Sequence, residues 1–549
     1  MNLRSVVLRV TTASLAIYAM YYVGFGWLPV SFIEDRVLKY IVITEPLLAY
    51  IPIDFTLITL SIALVPYLLK ISIKPVIPPL TIAFTGYLLY ATVGDPRVLV
   101  LLSVSSILTL YLLYKNLGLR EVIMSAVYVI VILEVVTIAS TLTYFATGSW
   151  SPLTKAVVLR ERFTWGFLEW ASIPLLATSA LLWTYSYVRR VEYPLKDVAK
   201  KLEKELAGEG IKYLVGPKAL TIAVALAITA VVLPHLPTVN SGLHPVCVDT
   251  YYYMKFLSYA DSYGLPQALV RFKGFARPAY LTLLYYASRV VDPVVLLDVI
   301  HPVIALTLLT IAIYLFVRGF ADVKAASIAA LLTPLGHSAV TFIAGGFQAN
   351  SIALPIALLM LMTSTKSVAR LFTLATLLAL VHPWTFIMYS VAYIAYLWRV
   401  GGLDMRELVK SVTTLLAALG VSEFVDLLTA GVSPTSVATS TVTRSLGFHI
   451  PRNLFRGIEF WTWGSQANTL VFTTAALTYS LTPVTSVLAV TAPLLLITSS
   501  VIIHRLILNT PLEAHASILL RRLDQRIVIA TILAVTARGF EVLTGMTPL

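Results

Sequence analysis

A chain of 549 residues that is 58% hydrophobic and only 12% charged, with a mean hydropathy of +0.86, is no ordinary soluble domain, since such domains are about a quarter charged. Its net charge of +13 does not imply nucleic acid, because the lysines and arginines fall in short clusters between apolar runs; that is the positive-inside pattern, with anionic lipid headgroups as counter-charge. The single cysteine, Cys247, excludes an intramolecular disulfide and a cysteine metal cluster.

Apolar runs of membrane-spanning length recur from end to end, and ~20 such residues take a helix across the hydrocarbon. The expected fold is therefore an all-α, polytopic integral membrane bundle of about 12–14 transmembrane helices. The N-terminus carries Arg4 and Arg9 before its first apolar run and lacks a small-residue cleavage site, so it reads as a retained first helix. Spans near 10–30, 53–69, 76–93, 98–114, 121–146 and 164–188 place Lys70, Lys74, Lys115, Arg120, Arg189 and Arg190 with Arg4 and Arg9 in the cytoplasm. Residues 1–188 thus form an N-terminal membrane unit. Val37 to Ile53, interrupted by Pro46 and Pro52, is expected at the outer interface, with Glu34, Asp35 and the segment 148–163 in outer loops.

Residues 189–218 are the one clearly polar segment, with Leu195, Val198, Leu202 and Leu206 on one face of a helix closed by Gly208 and Gly210. They read as a cytoplasmic amphipathic linker lying on the headgroups. A second membrane unit, 219–549, starts outward and ends its first span near Pro234, giving outer loops at 235–277 and 431–466. Lys366 with Arg370, and Arg399 with Arg406 and Lys410, mark cytoplasmic turns, so Gly345–Asn350 and His382–Trp384 face outward. Two stretches break this alternation. Residues 278–317 read as two helices where Arg318 and Lys324 call for one crossing, and 468–503 reads as two spans split at Pro483, which strands Arg521, Arg522 and Arg526 outside.

There is no Walker loop, dinucleotide fingerprint, HExxH or GxSxG. Attention moves to polar groups at the outer face, because ionisable residues at membrane depth are costly and functional. Loop 235–277 places one acid, Asp249, after a span, then a Tyr-rich helix, then Arg271, Lys273 and Arg277 before a Pro-started helix. A carboxylate can take a proton from an acceptor hydroxyl, and cations stabilise charge on a phosphate leaving group. Asp249 also reads as a simple cap of the helix starting at Thr250. His382 and Trp384 suit either a sugar and phosphate contact or a helix break in the aromatic belt. In the late outer loop Arg444, His449, Arg452 and Arg456 lie near Trp461 and Trp463, a mixture suited to a lipid-linked saccharide.

This order of outward span, long outer loop with an early acid, cationic end and Pro-aromatic helix (RPAYLTLLYYASRVV), followed by GGFQANSIALPIALLML and LVHPWTFIMYS, resembles the GT-C polyprenyl-phosphate-sugar-dependent glycosyltransferases, in their distant archaeal members, over residues 218–480. The resemblance implies Asp249 as catalytic acid of the first outer loop and a membrane glycosyltransferase acting on a lipid, glycan or protein acceptor. The second outer turn, which often supplies another acid, holds Gln348 and Asn350, and Val248 and Thr250 flank a single Asp where relatives pair two acids. These departures imply a metal-independent enzyme or an inactive relative, with no cofactor beyond the lipid-linked donor and a divalent metal left open. Membrane lipids and the polyprenyl-phosphate sugar are the expected partners, nucleic acid is not, and no protein partner is indicated. A lipid or solute transporter and an inactive scaffold are the alternatives.

Overall fold

The computed structural model describes residues 50–69, 71–95, 97–151, 154, 172, 175–272, 277–400, 405–431, 469–497 and 508–546. The expected first span, Glu34, Asp35, most of the 37–53 stretch, most of 148–163 and most of the 431–466 loop lie outside the described residues. The chain is an all-α polytopic bundle: among the described residues eight helices are long and apolar enough to cross a membrane, four shorter apolar helices accompany them, and no strand forms. The chemistry leaves little choice, since a lipid-facing backbone must satisfy its own N–H and C=O groups.

In the first unit, α1 (Tyr50–Leu68), α2 (Ile77–Val93), α3 (Arg97–Leu117) and α4 (Leu119–Thr147) run back and forth. Serine and threonine side chains in these helices mostly bond back to carbonyls of the preceding turn, as Thr81, Ser103, Thr109 and Thr137 do, so they add no unmet polar group to an apolar span. The 29-residue α4 ends at Gly148, φ +67°, where a Cβ would lie 2.2 Å from the Thr238 carbonyl oxygen of the second unit, and Thr238 Oγ1 donates to Phe145 O at 2.5 Å. No side chain fits at Gly148. A helix over 175–189 leads to the linker helix α5 (Lys196–Leu206), which buries Ala199 and Leu206.

The second unit begins with α6 (Pro217–Val232), followed by the short helices α7 (Thr250–Tyr263), α8 (Leu265–Arg271) and α9 (Pro278–Ala287). Next comes α10 (Pro293–Phe320), 28 residues long with a π-helical turn at Leu296–Ile300. The difficulty over 278–317 resolves here. The ten residues of α9 reach about 15 Å, too short to cross, and α10 passes through Pro302 as one span. The span Val323–Gly345 is broken into α11 (Val323–Leu332) and α12 (His337–Gly345). In its most apolar 18-residue stretch 89% of the residues are buried, against 22% for Lys74–Val93, so it is enclosed by other helices of the bundle. Then follow α13 (Gln348–Leu361), α14 (Val368–Val381), α15 (Pro383–Val400), α16 (Met405–Ala430), α17 (Thr469–Leu477), α18 (Pro483–Ile497), α19 (Leu512–Leu520) and α20 (Gln525–Thr544), the last packed along α4.

The cationic turns gather on one face around the linker. Arg522 pairs with Glu203 at 3.4 Å, Arg521 with Asp322 at 2.8 Å and Arg120 with Asp524 at 3.7 Å. Lys324 Nζ donates to Glu209 O at 2.9 Å, Arg399 to Val191 O at 3.0 Å, and the Arg190 guanidinium lies 4.1 Å over the Trp398 ring. The backbone bridge between Ala207 and Leu523 closes the same face. Arg521, Arg522 and Arg526 therefore sit beside the linker and not opposite it. The sequence reading missed the return pass of α19, which starts inside the bundle at Leu512 and reaches this face in nine residues. Tyr479, whose hydroxyl donates to Glu203 at 2.8 Å, shows that α17 also ends there.

Asp249, Gly346 and Arg277 lie at the other end of these helices. Single-cysteine variants Lys200→Cys and Ser262→Cys, both exposed positions in a chain whose own Cys247 is buried, are expected to react with an impermeant thiol reagent from opposite sides of a sealed membrane. Reaction of both from one side would overturn this arrangement.

Candidate functional site

The turn that carries Asp249 is built from backbone contacts. Val248 N and Asp249 N donate to Ala344 O at 3.1 Å and Gly345 O at 3.0 Å, docking the turn on the end of α12. Gly346 permits this. It has φ +70°, and a Cβ there would lie 2.8 Å from the Cys247 Cβ and 3.2 Å from the Asp249 Cβ. Asp249 occupies the N-cap position of α7, but its carboxylate makes no capping bond to the first-turn amides, so the simple cap expected as the alternative does not form. The residue is half-buried.

Beneath the turn lies a carboxylate that the sequence reading passed over. Asp298, in the π-turn of α10, is fully buried. Its Oδ2 accepts from Val246 N at 2.5 Å and Cys247 N at 3.4 Å and stands 3.6 Å from His235 Nε2, while Oδ1 accepts from the Thr250 hydroxyl. Gln348 Nε2 donates to Thr250 Oγ1 at 3.3 Å, and His235 Nδ1 is bonded to Val231 O at 2.8 Å. Burial together with the nearby Asp298 charge pushes the Cys247 thiol well above its usual range. An acid inside the apolar run PVVLLDVIHP was the available signal.

Two buried amides adjoin this network. Gln348 and Asn350, in the first turn of α13, are each 2% exposed, and neither Gln348 Oε1 nor Asn350 Nδ2 has a hydrogen-bond partner among the described residues. Arg277 stands at the start of α9, half-buried, with its guanidinium 5.7 Å from the centre of the Tyr253 ring. Tyr253 is one helical turn after Asp249, its amide bonded to Asp249 O at 3.2 Å. The structure thus brings Asp249, Arg277, Gln348 and Asn350 to one end of the bundle. Arg271 ends α8 as an exposed side chain. Lys273, Arg444, His449 and Arg452 lie outside the described residues.

His382 is committed elsewhere. Its Nδ1 lies 3.2 Å from the Thr385 amide nitrogen and 2.8 Å from Thr385 Oγ1, which ties the ring to the start of α15. Thr385 continues to Asn509 Oδ1 at 3.2 Å. Trp384 is half-buried beside it. Val381, just before His382, packs on the apolar cluster of α7, α8 and α9, so this pair borders the site without closing on Asp249. A second acid, Asp426 of α16, is also fully buried; it faces the Ala279 amide at the start of α9 but makes no hydrogen bond of good geometry there. Comparison with family models, curated proteins and solved structures finds no match.

Proposed function

We propose that this protein is a membrane glycosyltransferase of GT-C type that moves a sugar from a polyprenyl-phosphate carrier to a lipid, glycan or protein acceptor at the face opposite the basic turns. The observation that carries the reading is the placement of Asp249: a half-buried carboxylate on a turn fixed by Gly345, Gly346 and Asp298, one helical turn from the residue under the Arg277 guanidinium. Asp249 takes the proton of the acceptor hydroxyl as that oxygen bonds to the sugar's anomeric carbon. The bond from that carbon to the phosphate oxygen breaks, and Arg277 stabilises the charge left on the phosphate. Attack from the face opposite the leaving phosphate inverts the anomeric centre. The unpaired amide atoms of Gln348 and Asn350 offer one acceptor and one donor to sugar hydroxyls. The linker and N-terminus are cytoplasmic in this reading, in a cell membrane.

A second reading, transport, draws on the break at Thr333–Gly336, which leaves a half-helix N-terminus in the bundle interior with the buried Glu513 carboxylate against it, an arrangement found in solute carriers. The test is transfer from labelled polyprenyl-phosphate sugars to a membrane extract by the protein in liposomes. Arg277→Ala is expected to weaken carrier binding about tenfold or more, since a charge-assisted contact left unmade costs ~1.5–3 kcal/mol. Carrier binding without any transfer would favour transport, and unchanged binding by the variant would remove Arg277 from the site.

A further inference from the structure

We propose that Asp298 is a positioning residue, a buried latch that holds the 246–250 turn closed and so sets the place of the Asp249 carboxylate; the inference rests on the reading of Asp249 as the base. The outer half of the turn is held by α12, through Val248 N, Asp249 N and Cys247 Sγ, and its inner half rests on Asp298. Residues 241–245 are exposed, Val248 is 69% exposed, and the inner side of the turn meets Asp298 with two backbone amides and one hydroxyl. Two carboxylate oxygens thereby gather donors from three residues of the turn, while His235 at the end of α6 brings a fourth polar group from the other side. The π-turn adds one residue to the local helical repeat, and His301 N reaches back to Leu296 O. Such bulges re-aim a side chain within a continuous span. Thr250 links the latch to the substrate side, because its hydroxyl donates to Asp298 and accepts from Gln348.

A scaffold of this kind differs from general packing in what it controls. Its loss frees the inner side of the turn around Val246, Cys247 and Thr250, while the bonds of Val248 and Asp249 to Ala344 and Gly345 still tether the turn to α12 and the bundle stays closed. The chain carries its own reporter of that opening. Cys247 is the single cysteine, it is 3% exposed, its Sγ donates to Ile343 O at 2.7 Å, and its amide is one of the two held by Asp298.

The experiment is the rate at which a thiol reagent modifies Cys247 in the folded full-length protein in liposomes. Thr250→Val, which keeps shape and removes one donor, is expected to raise that rate about fivefold, and Asp298→Leu, which strips two buried amides of their acceptor, about tenfold or more. Thr250→Ser, which restores the hydroxyl, should label as the wild type does. Sugar transfer by Thr250→Val should lose turnover with the KM for carrier lipid unchanged, a split that a general loss of folded protein does not produce. Labelling of Thr250→Val at the wild-type rate, or of Thr250→Ser as fast as Thr250→Val, overturns the latch, and this holds even if Asp298→Leu fails to fold. Because labelling needs no substrate, a wild type that transfers no sugar but shows the expected labelling pattern refutes the glycosyltransferase reading and keeps the latch.

Discussion

Asp249→Asn is expected to cut sugar transfer by about 10²- to 10⁴-fold, the usual contribution of a general base, while the protein stays folded and still binds carrier lipid. The argument starts from what Asn retains. The side chain has the same size, so the close approach of Gly346 to the residue-249 Cβ is unchanged. The backbone bonds that place the turn, from residue 249 N to Gly345 O and from Tyr252 N and Tyr253 N to residue 249 O, involve no side-chain atom. The latch also remains, because Asp298 binds Val246, Cys247 and Thr250 and not residue 249. What is lost is the capacity to take a proton, since an amide oxygen is a very weak base. A residue that served only as a helix cap would tolerate Asn, among the best capping residues. The measurement is single-turnover transfer from labelled polyprenyl-phosphate sugar, with carrier binding and thermal stability followed in parallel. A variant that transfers at the wild-type rate would move the base elsewhere. A variant that loses carrier binding as well as transfer would make Asp249 part of the binding surface.

The elements that sequence revealed best were those whose signal is local. Hydropathy placed α2, α3 and α4 within a few residues of their positions, because each is a continuous apolar run ended by a glycine or a cation. The amphipathic linker was legible for the same reason. The pass of α19 was not, since LEAHASILL contains an acid and a histidine and is nine residues long; it enters the bundle because other helices, and not lipid, surround it. The positive-inside rule held a further clue: the stranded arginines at 521–526 signalled a missing crossing. At the site, the sequence places the turn 345–350 and Asp249 on one side of the membrane, and the two turns are in contact. Asp298, His235 and Asp426 escaped because a lone polar residue in an apolar run shows no partner until the fold brings one from far along the chain, as Val246 and Thr250, 52 and 48 residues away, come to Asp298.

The buried pair in α20 should be among the most sensitive points for stability. Arg538 and Glu541 form an ion pair three residues apart, 4% and 0% exposed, within a span of hydropathy 1.7. Gly539 between them lets Leu335 approach to 2.7 Å of where a Cβ would be, so the pair sits beside the break between α11 and α12. Two charges taken out of water cost much of what their attraction returns, so the net worth of such a pair is small. Removing one member is different. Glu541→Leu or Arg538→Met alone takes the ion-pair partner from a buried charge and is expected to cost about 3–5 kcal/mol. The double variant Arg538→Met with Glu541→Leu fills similar volume with no charge, and its stability should return to near the wild type or above. Thermal or denaturant unfolding in detergent micelles measures all three. Equal destabilisation by the double variant would show that the pair is held by further polar partners around the helix break, which would then have to be removed together.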